Sequence, residues 1–593
     1  MRELEYPFDS QYLIKKKKSL RRQLLESDTL FIDKKIAVLG GSTTHDIVVM
    51  LDLFLLNNGI RCEFYESEYN KYYEDVMFDN EELMTFNPDI VFIHTSNRNI
   101  VSYPDMSYSE EDVNRALEAE EKKYIQLWEK IKNSFNCPII QNNFEYPYYR
   151  ILGNKDATDI HGRVRFINEL NRRFAEYARI NKDFFIHDIN YISSCFGLDK
   201  WSDPQFWHMY KYALSMEAIP EFSYNLSNII KSIFGKNKKS LVLDLDNTLW
   251  GGIVGDDGVE GIEIGQETPI GQVYSEFQEY IKAQKELGVV LNICSKNDEE
   301  NAIAGLKHPA TVLGPDDFIC IKANWDPKSV NLVNIANELN LLPESFVFVD
   351  DNPAEREIIS SQVPGVAVPD IGSVDNYVRV LDHAGYFEAT NISADDEKRN
   401  QMYKDNAKRQ QLMQEFSDYG DFLDSLEMEA EIKAFEPVYF DRIAQLSNKS
   451  NQFNLTTKRY TRNEIEEIAA SDEYVDIYGK LTDKFGDNGV VSVIIGHKSG
   501  DVLDIDLWIM SCRVLKRDME YAMMDELTSK ALSIGVKNIR GHYYPTAKNS
   551  MVKNFYDTMG FIKISEDEKG NTEWTYEVHD EYNNMNTHIK INK

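Results

Sequence analysis

The segment SLVLDLDNTLWGG, residues 240–252, constrains the fold of this chain more than any other stretch. It starts as an apolar strand and breaks at Asp244 and Asp246, shortly before a pair of glycines. Because side chains alternate along a strand, the two carboxylates share one face at its carboxyl end. Adjacent carboxylates repel each other, so the pair indicates a divalent cation, or a reaction that needs both a nucleophile and an acid. A turn or a calcium loop is the alternative for the isolated segment.

Three later elements carry the other groups that phosphoryl transfer needs. The apolar strand VVLNICS ends at Ser295, Lys328 opens a predicted helix, and the apolar strand FVFV is followed by Asp350 and Asp351. The interval between Lys328 and Asp350 is about one helix plus one strand, which returns both residues to one edge of a parallel sheet. The sequence therefore predicts one crevice that contains carboxylates, a hydroxyl and a lysine.

Phosphate esters hydrolyse very slowly without a catalyst, and enzymes act on them mainly by positioning and charge neutralisation. We expect Mg²⁺ to be held by Asp244, the backbone carbonyl of Asp246, and Asp350. Asp244 would attack phosphorus, while Asp246 would protonate the leaving group and then deprotonate water. Ser295 and Lys328 would bind the phosphoryl oxygens. For each of these residues a helix cap or a solvated surface position is the structural alternative.

Four neighbouring residues receive secondary predictions. Asn247 and Thr248, between the aspartates and the glycine pair, are candidate substrate-binding residues. Lys322, in CIKANW, competes with Lys328 for the phosphate-binding role. Asp351 is expected beside the metal ligands or as a cap of the following helix.

These motifs resemble a known family. Asp-x-Asp-x-Thr on an apolar strand occurs in the haloacid dehalogenase (HAD) superfamily, and LVLDLDNTLWGGIVGDDGVEGI, ICSKN, ANWDPKSVNL and FVFVDDNPAERE resemble its FkbH-like branch, subfamily IIIC. The resemblance implies a Rossmann-like HAD domain at 237–390. The best-known role in that branch is to take the glyceryl group of 1,3-bisphosphoglycerate, remove its phosphates and load it as a thioester on an acyl carrier protein. It also implies Cys294 as an acyl acceptor. The alternative is a buried strand cysteine, because alternation places Cys294 and Ser295 on opposite faces.

Residues 1–236 alternate buried strands with amphipathic helices, which predicts an α/β domain with a parallel sheet. Ser42 follows the first strand and Asn97 the second, while Asp203 and His208 come near the end. This order resembles the SGNH hydrolases and implies a nucleophilic serine site made of these four residues. The alternative is a hydrolase-like fold that binds or docks without hydrolysis.

The C-terminal third predicts three segments. Residues 391–424 are charged and read as an exposed helical linker, residues 425–578 as an α+β domain, and residues 579–593 as a tail. The motifs NQFNLTTKRYT, DKFGDNGVV, DIDLWIMSCRVLKRDMEYAM and PTAKNSMVKNFYDTMGF resemble the GNAT-like extension of longer FkbH-like proteins.

The GNAT resemblance implies an acyl-CoA site at a turn that opens a helix. Arg513, Lys516 and Arg517 would hold the pyrophosphate, with Asn549 nearby, and Tyr556 would protonate a leaving thiolate. Lys516 and Asp518 replace the glycines of the family's turn, which leaves the pantetheine arm of a carrier protein as the alternative ligand. For Tyr556 the alternative is helix-face packing.

Composition narrows the function further. The formal net charge of −33 disfavours nucleic acid and anionic membranes as partners. The six cysteines are scattered, and the start of the chain has no apolar signal-like run, which predicts reduced thiols and a cytoplasmic location. We therefore expect a Mg²⁺-dependent phosphatase/acyltransferase that acts on a small phosphorylated metabolite. Its alternatives are a simple HAD phosphatase of surface-polysaccharide or secondary-metabolite biosynthesis, whose flanking domains confer specificity, and a non-catalytic assembly or docking protein.

Overall fold

The computed structural model describes residues 1–27, 29, 31–391, 398–450, 452–546, 548–579 and 581–592. Residues 392–397 of the predicted linker, and Asp580 and Lys593 of the predicted tail, lie outside this set. Contacts divide the chain into two compact units, Met1–Ile233 and Phe234–Lys593. No helix in the described part of the chain is both long and apolar enough to cross a bilayer.

The first unit contains a parallel five-stranded sheet in the order β2-β1-β3-β4-β5. Its strands are β1 (Ile32–Gly40), β2 (Ile60–Glu66), β3 (Ile90–His94), β4 (Ile139–Asn142) and β5 (Phe184–His187). The sequence predicts all of them except β2, whose alternating burial leaves it half polar. The parallel α/β class predicted for this region is confirmed.

Helices connect these strands and cover the sheet. They are α1 (Ser10–Leu25), α2 (His45–Asn57), α3 (Tyr72–Met77), α4 (Glu81–Phe86), α5 (Glu110–Phe135), α6 (Arg163–Ile180), α7 (Ile189–Phe196), α8 (Leu198–Trp201), α9 (Pro204–Tyr210) and α10 (Ile219–Ile233). Helix α5 begins directly after Ser109, because the side chains of Ser109 and Asp112 each cap the backbone of the other.

The second unit begins with a parallel four-stranded sheet in the order β8-β7-β6-β9. Its strands are β6 (Ser240–Leu243), β7 (Val290–Ser295), β8 (Cys320–Ala323) and β9 (Phe346–Val349). The helices around it are α11 (Val254–Asp257), α12 (Pro269–Glu286), α13 (Glu299–Leu306), α14 (Lys328–Glu338), α15 (Pro353–Gln362) and α16 (Tyr377–His383). All four strands run the same way, so their carboxyl ends form one edge, where ligands bind in sheets of this kind.

The predicted exposed linker is instead a packed element. Helix α17 (Arg399–Met413) buries Tyr403 in the hydrophobic core of the four-stranded sheet. On the same helix Arg409 is 3% exposed and donates two hydrogen bonds of 2.7 Å to the buried carboxylate of Asp483. The charged residues of α17 are therefore partly buried because they are paired, which composition alone does not reveal. Helix α18 (Tyr419–Ser425) follows.

The rest of the second unit is an α+β domain, as predicted, and it contains a nine-stranded sheet. Ile589–Asn592, which lie in the predicted tail, form one strand of this sheet and pair with residues 428–431, so the tail is not separate from the domain. Eight strands form the path β16-β17-β15-β14-β13-β12-β10-β18, and β11 pairs with β14. The strands are β10 (Met428–Lys433), β11 (Phe453–Asn454), β12 (Tyr474–Asp483), β13 (Gly486–Ser499), β14 (Val502–Met510), β15 (Asn538–Tyr543), β16 (Ile562–Glu566), β17 (Thr572–Glu577) and β18 (Ile589–Asn592). The helices are α19 (Phe440–Lys449), α20 (Arg462–Ala469), α21 (Met519–Ser533) and α22 (Phe555–Thr558).

Strands β14 and β15 part after a short parallel pairing at Val502–Asp504. The chain itself enters the gap between them, because β11 pairs with Ile509 and Met510 at the far end of β14. The Tyr544 amide, just past β15, donates a hydrogen bond to the Leu455 carbonyl on the other side of this segment. The gap is thus closed by the chain's own backbone.

Candidate active site

Three carboxylates meet at the carboxyl edge of the four-stranded sheet. Strands β6 and β9 are neighbours with Leu243 opposite Val349, so Asp244 and Asp350 emerge side by side. One carboxylate oxygen each from Asp244, Asp350 and Asp351 lie within 4.8 Å of one another. The sequence predicts Asp351 beside the metal ligands or as a helix cap, whereas the structure brings its carboxylate as close to the other two as a shared ion would require.

Lys328 lies against this cluster. Its ammonium nitrogen is 2.8 Å from Asp244 Oδ2 and 2.6 Å from Asp350 Oδ2, and its side chain is 3% exposed. Burial opposes the ammonium charge, but the two carboxylates outweigh it and hold the pKa of Lys328 above its ordinary value. Burial, reinforced by Asp244, raises the pKa of Asp350.

The second oxygen of Asp244 has no hydrogen-bond partner among the described residues, although it is buried. A buried carboxylate oxygen without a partner is costly unless a cation or a ligand meets it. Three convergent carboxylates are the oxygen donors that Mg²⁺ prefers, so this donor set fits the ion that the sequence predicts.

Asp246 is held by three donors that the sequence does not point out. Its Oδ1 accepts hydrogen bonds from Trp250 Nε1 at 3.0 Å and the Val254 amide at 3.1 Å, and its Oδ2 accepts one from Asn297 Nδ2 at 2.9 Å. Burial raises the pKa of Asp246, which favours the protonated form that a general acid needs. Asn297 stands two residues after Ser295 in the ICSKN motif. Its place in that motif is the sequence signal that could have pointed to its contact with Asp246.

Asn247 and Thr248, predicted to bind substrate, hold the local turn instead. Asn247 has φ +55°, and its side-chain oxygen accepts a hydrogen bond of 3.0 Å from the Gly252 amide. Thr248 is fully buried, and its hydroxyl accepts a hydrogen bond of 3.1 Å from the Asp351 amide. Both residues position the carboxylates through the backbone, so a direct contact with substrate is not supported.

Of the other residues predicted for this crevice, Ser295 lies at the expected edge of the sheet and Lys322 does not reach the carboxylates. Ser295 is the last residue of β7, at the same edge as Asp244. Lys322 pairs with Glu338 instead of the carboxylate cluster, so Lys328 is the lysine of the site. Trp325 follows β8 and is 70% exposed, and its indole donates a hydrogen bond of 3.0 Å to Asp298. It lies at the carboxyl edge of the sheet as an exposed ring that sequence reasoning missed.

Cys294 is not placed to accept an acyl group. It is fully buried in a hydrophobic cluster, and its sulfur lies 3.6 Å from the Lys328 carbonyl. Burial raises the pKa of this thiol to about 12, which suppresses the thiolate that would act as nucleophile. This position does not favour the acceptor role implied by the resemblance, because strand alternation turns Cys294 away from the face of Ser295.

The predicted pyrophosphate turn is occupied by internal contacts. Arg517 is 6% exposed and donates to Asp483 and to Asn406 of α17. The Lys516 carbonyl accepts a hydrogen bond from the Tyr419 hydroxyl. Lys516 and Asp518 both have positive φ, +63° and +60°, so they keep the backbone shape that glycine favours while adding side chains.

Arg513, Asn549 and Tyr556 are the remaining residues of the predicted acyl-CoA site. Arg513 lines a pocket within the second unit, so it stays accessible to a ligand. Asn549 is 0% exposed. Its side-chain oxygen accepts a hydrogen bond from the Thr546 backbone N–H, and its side-chain nitrogen donates to the carbonyls of Asn454 and Tyr544. Tyr556 is 1% exposed and lies in the hydrophobic core, where burial raises its pKa. The burial and internal contacts of Asn549 and Tyr556 favour a structural role for both residues over the predicted ones.

The predicted serine site of the first unit is not assembled. Ser42 Oγ is buried without a hydrogen-bond partner in the described part of the chain. Asp203 accepts hydrogen bonds from the amides of Gln205 and Phe206 and so caps α9, on which His208 is exposed. Asn97 donates to Glu145, a buried carboxylate that the sequence did not indicate.

Comparison with known proteins bears on the family and the fold of the chain. Residues 35–231 match the model of the FkbH N-terminal domain. The chain is 29% identical to a crystallised N-terminal part of the protein BF1531 from Bacteroides fragilis, which contains a phosphatase domain complexed with Mg; the match has a TM-score of 0.59 and covers 63% of this chain and 99% of that one.

Two acetyltransferases match about a quarter of the chain. The ribosomal-protein-S18-alanine N-acetyltransferase from Escherichia coli is 11% identical over 27% of this chain and 99% of its own, with a TM-score of 0.21. A GNAT-family acetyltransferase from Streptococcus pneumoniae is 14% identical over 26% of this chain and 100% of its own, with a TM-score of 0.22. No curated protein matches the chain.

Proposed function

We propose that this chain, FkbH-like through residues 35–231 and through its phosphatase-like centre, is a Mg²⁺-dependent phosphatase for a small phosphorylated metabolite. One observation carries the proposal. Asp244 has one buried oxygen without a partner and the other bonded to Lys328, in a cluster with Asp350 and Asp351. This combination supplies a nucleophile, a cation site and a fixed positive charge in one place.

The metal assignment rests on the donor set and on the relative from Bacteroides fragilis. Asp244, Asp350 and Asp351 would hold the ion. The crystallised relative, 29% identical to this chain, contains a phosphatase domain complexed with Mg. When bound, Mg²⁺ neutralises phosphoryl oxygens and so permits a carboxylate to approach an anionic substrate. That help matters here because the chain has a formal net charge of −33.

The residues perform two displacements. In the first, the Asp244 carboxylate attacks phosphorus, the bond from phosphorus to the leaving oxygen breaks, and Asp246 gives that oxygen a proton. In the second, water attacks the phosphorus of the Asp244 phosphate and Asp246 takes the water proton. The bond from phosphorus to Asp244 then breaks, which releases phosphate and restores both aspartates.

Lys328 and Asn297 prepare these steps. The Lys328 ammonium fixes the Asp244 carboxylate and offers positive charge to the phosphoryl oxygens. Asn297 and Trp250 hold the Asp246 carboxyl in one orientation, so its proton is delivered in a defined direction. Ser295, at the end of β7, is positioned to donate a hydrogen bond to the phosphoryl group.

Acyl transfer is the finer form of the proposal. Loading of a glyceryl-type group from 1,3-bisphosphoglycerate onto an acyl carrier protein needs a thiol that reaches the phosphate site. Cys294 is buried on the opposite face, so the thiol would have to come from the carrier protein itself. Acyl-CoA is disfavoured as donor, because Arg517, which was predicted to hold its pyrophosphate, is committed to Asp483.

The test uses the full chain and its Asp244→Asn variant with Mg²⁺ and a panel of phosphorylated metabolites that includes 1,3-bisphosphoglycerate with a carrier protein. Phosphate release and the masses of both proteins are followed. We expect Mg²⁺-dependent phosphate release that Asp244→Asn abolishes. A glyceryl adduct on the carrier protein would add the transfer step.

Lys322→Met serves as the control, because Lys322 is a surface lysine paired with Glu338 away from the carboxylates. It should release phosphate at the wild-type rate. Failure of the wild-type chain to act on any member of the panel would contradict the enzymatic proposal and favour a docking protein.

A further inference from the structure

A pocket of about 280 Å³ lies in the first unit; it includes Asn97 of the predicted serine site but not Ser42, Asp203 or His208. It is formed by segments that follow three neighbouring parallel strands: Asn97 and Arg98 after β3, Glu145 to Tyr149 after β4, and Trp201 after β5. The carboxyl edge of a parallel sheet is the usual position of a ligand site. The volume suits one small molecule, since ligand pockets start at roughly 300 Å³.

Two arginines line this pocket and both lie over aromatic rings. The guanidinium carbon of Arg98 is 4.5 Å from the centre of the Trp207 ring. That of Arg163 is 4.8 Å from the Tyr103 ring and 5.4 Å from the Tyr149 ring. Rings in these positions hold the guanidinium groups in place. One N–H of Arg163 donates a hydrogen bond of 2.8 Å to the Tyr149 hydroxyl, and the other N–H groups of the two side chains have no hydrogen-bond partner among the described residues.

Neither arginine forms an ion pair with a carboxylate of the described residues, which stands out in a chain with a formal net charge of −33. The nearby carboxyl group of Glu145 is 1% exposed, and Asn97 donates to both of its oxygens, at 2.7 and 3.1 Å. Glu145 thus orients Asn97 and leaves the guanidinium edges of Arg98 and Arg163 for a ligand.

The wall chemistry defines the ligand class. Guanidinium edges bind carboxylates and phosphates, frequently in pairs of hydrogen bonds. Guanidinium groups cover one face each of Trp207, Tyr103 and Tyr149, and these faces are not available to a stacked nucleobase. The lining also contains the Asn97 amide and the hydroxyls of Ser202, Tyr148 and Tyr149, which are groups that can hydrogen-bond to the hydroxyl groups of a sugar. The Tyr103 hydroxyl donates to the Asn97 carbonyl and the Tyr146 hydroxyl to Asn168.

We propose that this pocket binds an anionic monosaccharide, whose phosphate or carboxylate lies between Arg98 and Arg163. The site is independent of the proposed phosphatase centre, since it uses only residues of the first unit. It gives the FkbH-type N-terminal domain a ligand of its own.

The test is isothermal titration calorimetry on the full chain, carried out with EDTA in the Asp244→Asn background so that no phosphate ester is consumed. The probes are a panel of hexose phosphates, a panel of hexuronates, the matching neutral hexoses and inorganic phosphate. We expect at least one charged sugar to bind, and its neutral counterpart and inorganic phosphate to bind at least about tenfold more weakly. The better of the two charged panels identifies the anionic group.

Arg98→Gln and Arg163→Gln should each weaken binding at least about tenfold, since each removes a charged donor. Arg179→Gln is the matched control, because Arg179 is an exposed arginine of the same unit that pairs with Glu176, and it should leave the affinity unchanged. Unaltered thermal unfolding of the two pocket variants would show that the first unit remains folded. No binding by any charged sugar, or binding that neither pocket variant weakens, would overturn the proposal.

Discussion

Replacement of Lys328 by methionine tests the electrostatics of the candidate active site directly. Methionine has nearly the same shape but no charge, so Lys328→Met removes the cation between Asp244 and Asp350 while the space stays filled. Both carboxylates are buried, at 7% and 0% exposure, and they would face each other without a counter-charge. The change therefore isolates the charge from the packing.

The expected loss follows from the geometry of the pair. Removing one partner of a buried ion pair costs about 3–5 kcal/mol, because the charge that remains is buried and unpaired. For a domain of about 150–250 residues, the size class of the predicted domain 237–390, that free energy corresponds to a fall in the unfolding midpoint of roughly 6–20 °C. Lys322→Met removes an ion pair whose lysine is 28% exposed, and such a pair contributes at most ~1 kcal/mol.

Calorimetric unfolding of the full chain in EDTA, with both variants beside the wild type, measures this difference. Protonation of Asp350 relieves the repulsion, so the loss in Lys328→Met should be smaller at pH 5.5 than at pH 8. Its phosphate release should also fall by about 10²-fold or more, as when a fixed electrostatic stabiliser is removed. Equal midpoints for the two methionine variants in EDTA at pH 8 would refute the reasoning.

Three further outcomes are expected. Cys294→Ala should keep phosphate release within about twofold of wild type, because this thiol lies outside the reaction; a loss of turnover measured with the folded variant would speak for an acceptor role. Trp325→Ala should raise KM about tenfold and leave kcat unchanged if this exposed indole contacts substrate, and a kcat effect alone in steady-state assays would count against that contact. Burial raises the pKa of Glu145 to about 7 from an ordinary value of 4.5, so its contribution to stability is full below pH 4.5 and is lost as the pH rises to 7. The free energy of unfolding of the wild type relative to Glu145→Gln should therefore fall over that window, by on the order of 3 kcal/mol in total, and a difference that does not change with pH would contradict the buried carboxyl.

Much of the phosphatase-like crevice could be predicted because strand periodicity and parallel topology decide it. Asp244, Ser295 and Asp350 each stand at or just past the end of an apolar strand, and parallel strands bring such positions to one edge. The same alternation argued against Cys294. The choice between Lys322 and Lys328 could not be made from the sequence, because it depends on whether the side chain reaches Asp244 or Glu338.

The features that sequence reasoning missed are long-range pairs. Asn297 reaches Asp246, and Arg409 reaches Asp483 across 74 residues of chain. Paired charges look like solvated ones in the sequence, which is why α17 was expected to be exposed. The same difficulty applies to the predicted pyrophosphate site. Its Arg517 forms an ion pair with Asp483, and the sequence does not reveal this pair.

The most direct test of the central claim is a search for phosphate on Asp244. The Asp246→Asn variant should accept a phosphoryl group from acetyl phosphate, whose leaving group needs no proton, but should be slow to hydrolyse the product. Peptide mass mapping after acid quench, with Mg²⁺ present, should find one phosphoryl group on the peptide that contains Asp244, and none in Asp244→Asn. Wild-type phosphate release without any such adduct in Asp246→Asn, or an adduct on another residue, would contradict the account.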